Sequence, residues 1–417
     1  MAGRILVYAD WLGLPEITQV GTLTAEVTRG KEIFSFEYTP SWLQSSQSQV
    51  LDPDLQLYAG PQYLNDDKPN FGMFLDSSPD RWGRMLMKRR EAITARQEER
   101  KPVNLNESDF LLGVFDGTRM GGLRFKTTAD GEFLSHLTEL AAPPWIALRD
   151  LEYASLRLEA EDMSATEELR WLNMLIAPGS SLGGARPKAS VTDPEGNLWI
   201  AKFPSANDEY DIGAWEMVVL ELASIAGINV APAQLQQFSG RHRTFLTSRF
   251  DRVGRTGRVH FASAMTLLGQ QDGADFYSGA SYLDMVEFII QNGSSVNQNL
   301  KELWTRIAFN VLVKNTDDHL RNHGFLLREN GWELSPAYDM NANPHGSSLT
   351  LNISENDNSL DPELVLSVAV HFRLKHEEAK AILERVKNAV AQWQKIATKY
   401  KLSRREQENM ASVFSGA

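Results

Sequence analysis

Apolar and polar residues alternate along the opening forty positions. Ile5, Val7 and Ala9 alternate with Leu6 and Tyr8, and after a turn at Arg29-Gly30-Lys31, Phe34, Phe36 and Tyr38 alternate with Ile33, Ser35 and Glu37. A period of two predicts strands. The period changes after Ser78, which fits a helix N-cap, with Pro79 at the first helical position and Asp80 at the positive end of the dipole. That helix is expected to run through RWGRMLMKRREAITARQEERK. FLLGVFDGTRMGGLRF reads as a second hairpin-like segment turning at Asp116-Gly117. Pro143-Pro144 and an acidic helix from about Asp150 to Leu175 mark a boundary. From Gly179 the pattern becomes strand, loop, strand, helix: GSSLGGARPKASVTD, NLWIAKFPS, then EYDIGAWEMVVLELASIAG. After Phe250 the chain turns helical. LWTRIAFNVLVKN is apolar enough for a buried helix, and Ile382, Val386, Ala389, Val390, Trp393 and Ile396 form a stripe of period 3.6. A β-rich front and a helical back predict α+β modules, not one doubly wound sheet. No internal repeat and no low-complexity tract is visible.

At 417 residues the chain exceeds one ordinary core, so two or three packed units are expected. Its 42 basic and 54 acidic residues give a net charge of −12, which opposes phosphate-backbone binding by the chain itself. With no cysteine, disulfides, thiolate nucleophiles and Cys-ligated zinc are excluded. The opening MAGRILVYADWLGLPE lacks a signal-peptide pattern, and no stretch approaches 18 uncharged apolar residues. No membrane partner and a cytoplasmic location are therefore expected. The basic run from Lys88 to Lys101 is either a phosphate-binding face or, more plainly, a solvated helix surface.

The chemistry concentrates in NTDDHLRNHGFLLRENGWELSPAYDMN. Asp317 is followed five positions later by Asn322; FLLR and WELS read as a hairpin turning through Asn330-Gly331 in a type I′ turn, and Asp339 closes the segment. Phosphoryl transfer needs a carboxylate to orient or deprotonate the attacking hydroxyl and oxygen ligands to hold magnesium against the phosphates. An Asp and an Asn on one loop, with a second Asp returned by a hairpin, supply that set in protein-kinase spacing. The alternative is a turn at a helix C-terminus rich in Asp and Asn. His319 and His323 stand four apart, but HLRNH lacks the glutamate of a zinc-protease helix. A second signal is Lys202 in WIAKFPS, flanked by Trp199, Ile200, Ala201 and Phe203, with Glu216 on the following helix. A strand lysine and a helix glutamate form the pair by which kinases hold nucleotide phosphates; a snorkelling edge-strand lysine and a surface glutamate are the bland alternative. The third is Ser180-Ser181-Leu182-Gly183-Gly184-Ala185-Arg186-Pro187-Lys188, whose glycines admit close backbone approach to phosphates while Arg186 and Lys188 add charge. Each signal alone is unspecific. Their order along the chain is the order of parts in a kinase.

These residues also resemble the HipA kinases, toxins of bacterial toxin–antitoxin modules. The resemblance rests on SLGGARPK, IAKFP, LELASIAGINVAPA, SRFDR, NTDDHLRNHGF and SPAYDMN, and in the amino-terminal part on FEYTPSWL, FLDSSPDRWGR and FLLGVFDGTRMGGL. It implies an α+β, HipA-like kinase fold with a β-rich N-terminal subdomain (residues 1–145), a β-containing nucleotide-binding lobe (146–255) and an all-α catalytic C-terminal lobe (256–417). By the same resemblance Asp317 is the catalytic base, Asn322 and Asp339 bind Mg2+, and Lys202 holds the phosphates of ATP. Gly183, Gly184, Ala185, Arg186, Lys188, Glu216 and His319 belong to the expected nucleotide-binding set. Ser248, Arg249 and Phe250 would lie at the adenine-side hinge, Ser248 replacing an acidic residue of the family pattern. Ser181, or its neighbour Ser180, corresponds to a serine whose autophosphorylation displaces the phosphate-binding loop. The implied substrate is a serine of an aminoacyl-tRNA synthetase, and the implied partner is a HipB-like helix-turn-helix antitoxin that contacts operator DNA. Two other functions compete: a small-molecule phosphotransferase with a similar Asp–Asn loop, and a pseudokinase that binds partners without turnover. Asn315-Thr316 before the catalytic Asp disfavours the first, and the intact Lys202, Asp317, Asn322 and Asp339 disfavour the second.

Overall fold

The computed structural model describes residues 3–64, 68–137, 141–160, 165–176, 186–238 and 240–416. Two compact units emerge, residues 1–206 with 248–262, and residues 207–247 with 263–417.

The first unit carries the strands expected from the alternation. Gly3–Ala9, Thr18–Thr28 and Lys31–Tyr38 pair antiparallel, extended by Gln62–Tyr63 at one edge and Leu123–Lys126 at the other. Ile5, Val7, Leu23, Phe34, Phe36 and Phe125 are buried, and Phe74 bridges Phe36 and Phe125 with ring centroids 5.8 and 5.9 Å away. Removing these side chains from water is the main stabilising term of the sheet. The following helix spans Arg81–Gln97, and its N-cap is Asp80, not Ser78. The Asp80 carboxylate accepts from Gly83 N at 2.8 Å, while the Ser78 hydroxyl turns back to donate to Phe74 O. Within the basic run Arg89 pairs with Glu168 and Arg100 with Glu91, and ahead of it Arg84 pairs with Glu107.

The FLLG segment is not a strand. Asn106 and Asp109 form a capping box that starts a helix at Glu107–Gly113, Asp116–Thr118 is a 3₁₀ turn, and only Leu123–Lys126 joins the sheet. Buried Arg119 fastens this region by donating to the carbonyls of Ser77, Leu111, Val114 and Leu134 at 2.8–2.9 Å. Burial lowers its guanidinium to about 9. The described residues between 148 and 176 form two helices, Leu148–Ala160 and Ala165–Ile176, in place of one. An antiparallel hairpin of Lys188–Thr192 and Leu198–Lys202 completes the unit.

In the second unit Asp211 caps helix Ile212–Ile225, and strands Ala233–Gln236 and Thr244–Ser248 pair antiparallel. Helix Val296–Leu312 is buried along most of its length. The late apolar stripe is interrupted once, giving His376–Val390 and Trp393–Lys399, and Trp393 stacks on Phe414 at 4.9 Å. One strand pair, Gly324–Arg328 with Gly331–Leu334, interrupts the helices. Its turn is not type I′, because Arg328 pairs with Gly331 and only Gly331 has a positive φ, 127°. A Cβ at Gly331 would lie 2.5 Å from Asn292 O. Gly331→Ala is expected to destabilise the protein by about 1–3 kcal/mol, read as a lower urea midpoint. Among the described residues no helix is long and apolar enough to cross a membrane.

Candidate functional site

The Asp–Asn loop begins where helix Val296–Leu312 ends. Asn315 is fully buried and donates to Asn310 Oδ1 at 3.1 Å, which turns the chain outward. The two successive carboxylates then part. Asp317 is exposed, whereas Asp318 is buried and its Oδ2 accepts from Tyr282 Oη (2.6 Å), Asn310 Nδ2 (2.7 Å) and His323 Nε2 (2.8 Å). Burial raises the Asp318 carboxyl, but the His323 ring and the Tyr282 hydroxyl outweigh it and hold the group below the usual carboxylate range. Of the pair, only Asp317 is open to solvent.

Asn322 is fixed from the same side. Its Nδ2 donates to Asp317 O at 2.9 Å, and its buried Oδ1 has no hydrogen-bond partner. A buried amide oxygen without a donor is an unpaid desolvation cost unless a cation or donor meets it. His323 and Asp318, the residues after Asn322 and Asp317, clasp the loop from beneath. His323 Nε2 is thereby committed to Asp318, and among the described residues no group of three His, Asp or Glu is placed to hold a metal ion.

Asp339 is delivered by the strand pair in a left-handed conformation, φ 56°, a strained state for a residue with a Cβ. Its flanks are stitched to the loop. Tyr338 Oη donates to Arg321 O (2.7 Å), Asn341 N to Asn315 Oδ1 (3.3 Å) and Asn343 Nδ2 to Thr316 Oγ1 (2.8 Å). Tyr338 and Met340, on either side of Asp339, line one small cavity with Asn322 and Asp318. Asp317, Asn322 and Asp339 all lie in the second unit, with Asn322 bound to the Asp317 carbonyl and the neighbours of Asp339 tied to the same loop. An amide oxygen and a carboxylate fit Mg2+, which takes one or two protein oxygens and completes its shell with phosphates and water. His319 lies in the same loop, at the N-cap of the Leu320–Asn322 turn, and buried Glu216 lies on helix Ile212–Ile225.

The remaining candidates belong to the first unit. Lys188 and Lys202 face each other across the hairpin; buried Lys188 pairs with Asp80 at 2.8 Å, and Lys202 is half-buried. Arg186 precedes them, while Ser180, Ser181, Gly183, Gly184 and Ala185 lie outside the described residues. Arg249 is fully buried: its guanidinium holds Asp251 at 2.6 and 2.8 Å and donates to Thr118 O. Its side chain therefore serves the fold, with half-buried Ser248 and Phe250 beside it. Sequence reasoning missed the Asp318–His323 clasp. The doubled aspartate and the histidine five residues on were its visible signal.

A family model described as HipA-like C-terminal domain matches residues 180–393, and one described as HipA N-terminal domain matches residues 15–105. The serine/threonine-protein kinase toxin HipA of Shewanella oneidensis is 25% identical over 190 residues, covering 39% of this chain and 43% of that protein. The chain spans about half the length or less of the curated relatives it matches. The solved structure of HipA from Shewanella oneidensis MR-1, in complex with HipB and operator DNA, is similar in fold, with a TM-score of 0.68 at 18% identity over 99% of this chain and 96% of that one.

Proposed function

The chain belongs to the HipA family, and from that premise we propose that it is an ATP- and Mg2+-dependent protein serine/threonine kinase acting as a growth-inhibiting toxin. The observation that carries this reading is the Asp317–Asn322 loop, in which Asn322 Nδ2 donates to the backbone carbonyl of exposed Asp317 while the buried amide oxygen of Asn322 has no hydrogen-bond partner. Asp317 orients the acceptor hydroxyl and takes its proton. Asn322 and Asp339 would hold the magnesium, which when bound would supply neutralisation of phosphate charge. Lys202, which faces Lys188 across the hairpin, is assigned to the phosphates. The clasp beneath the loop fixes the separation of base and amide without touching the reactants.

The acceptor is assigned to a serine of an aminoacyl-tRNA synthetase in the cytoplasm, with Ser181 or Ser180 as the self-modified residue. A HipB-like antitoxin is assigned as the neutralising partner. The net charge of −12 supports operator contact through that partner and not through this chain.

Incubation of the purified chain with labelled ATP and Mg2+ tests the reading. Label is expected on protein, and Asn322→Ala is expected to raise the Mg2+ concentration for half-maximal transfer by roughly tenfold or more. Transfer only to a small alcohol or amine would replace the reading with a small-molecule phosphotransferase. No transfer at all would sink it.

A further inference from the structure

Asp317 is exposed and sits on a loop, yet a catalytic group has to stand within about 0.5 Å of its productive position. The Asp318–His323 clasp acts on the chain after Asp317. The backbone ahead of Asp317 is held by a different residue, Thr350, 34 residues beyond Thr316.

Thr350 Oγ1 donates to the carbonyl of Thr316 at 2.8 Å. That carbonyl belongs to the peptide plane joining Thr316 to Asp317, so the bond fixes the plane from which the Asp317 side chain departs. On the other side, the Asp317 carbonyl accepts from Asn322 Nδ2 at 2.9 Å and from His319 N at 3.1 Å. Both peptide planes flanking the carboxylate are therefore held, and adjustment is left to its own side-chain torsions.

Thr350 is a firm anchor. It lies between Leu349 and Leu351, both fully buried; Phe276 N donates to its carbonyl at 2.8 Å, and Leu349 N donates to Asn358 O at 2.9 Å. The same returning segment grips the chain ahead of the base at further points. Asn343 Nδ2 donates to Thr316 Oγ1 at 2.8 Å and Asn343 N to Lys314 O at 3.1 Å, while a Cβ at Gly346 would lie 2.2 Å from Thr316 Oγ1. Lys314 has a φ of 47°, a left-handed state that persists in a residue with a Cβ only where its surroundings enforce it. The two leucines already fasten the segment to the core. The hydroxyl between them adds direction to the base.

We propose that Thr350 is a positioning residue for phosphoryl transfer, acting through the Thr316–Asp317 peptide and not on the reactants. This rests on the kinase reading above, with Asp317 as the base. Such a residue governs turnover and leaves nucleotide affinity alone.

The rate of protein labelling by the purified chain with labelled ATP and Mg2+, taken well below each variant's Tm, tests the inference. Thr350→Val is expected to lower that rate roughly tenfold or more, with ATP affinity by calorimetry unchanged. Thr350→Ser, which keeps the hydroxyl, is expected to recover the rate. In an Asp317→Asn background, where no base is left to place, Thr350→Val is expected to cost nothing further. A wild-type rate in Thr350→Val, a loss that Thr350→Ser shares, weakened ATP binding, or an equal fractional loss in the Asp317→Asn background each overturns the assignment and leaves the kinase reading standing. Should Thr350→Val not fold, Asn343→Ala, at a half-buried position, is judged by the same rate, affinity and Asp317→Asn comparison. No labelling by the wild type removes both.

Discussion

Asp317→Asn is expected to lower phosphoryl transfer by about a thousandfold while ATP affinity stays within about twofold. The amide keeps the shape of the side chain but cannot accept the hydroxyl proton. Because Asp317 is exposed, the variant should unfold at the wild-type temperature. Its neighbour is the control. Asp318→Asn would remove the buried charge on which the Tyr282, Asn310 and His323 donors converge at one oxygen, so thermal stability should fall there. Retained activity in Asp317→Asn, measured with labelled ATP, would remove the base from the mechanism.

Asp251→Ala is expected to cost about 3–5 kcal/mol, the largest stability loss of any single substitution considered, because it strands two buried guanidinium groups. Asp251 has no exposed surface and accepts from Arg249, Arg252 and Gly121 N. In calorimetry the transition of the first unit should drop by on the order of 10 °C. Acid has a related effect. Burial pushes the Asp251 carboxyl up, but Arg249 and Arg252 outweigh it and hold it at about 2, below its ordinary 3.8. A depressed folded pKa gives stability that is complete above about pH 4 and lost as the pH falls towards 2, an effect of about 2 kcal/mol. That acid-sensitive part should vanish in Asp251→Ala; an unchanged acid limb would show that the carboxylate is not ionised in the fold.

The strands of the first forty residues were legible because their period of two survives into the sheet. The buried helix before the loop was legible because its apolar face is nearly continuous. Local signals misled where two competed. Ser78-Pro79 imitates a helix start with its N-cap two residues ahead of Asp80, and Asp116-Gly117 imitates a hairpin turn although the Asn106–Asp109 capping box has already begun a helix. Of the candidate site, Asp317, Asn322 and Asp339 could be named because they share one short segment. Its supports could not. Tyr282 reaches Asp318 from 36 residues away, and Arg249 finds Thr118 O across 131, separations that no spacing argument spans. Glu216 and Lys202 could be named only as types of residue, one on a helix and one on a strand, and the glycine loop lies outside the described residues.

The ribbon passes from one unit to the other after residues 206, 247 and 262, so the short stretch 248–262 is a loan from one body to the other. No single scissor cut therefore yields two intact halves. A fragment beginning near residue 180, where the carboxy-terminal family match starts, would keep Arg249 and Asp251 but lose Thr118 and Gly121, to which they are bound. Such a truncation leaves Arg249, Asp251 and Arg252 holding one another but stripped of the carbonyl and amide that now meet them.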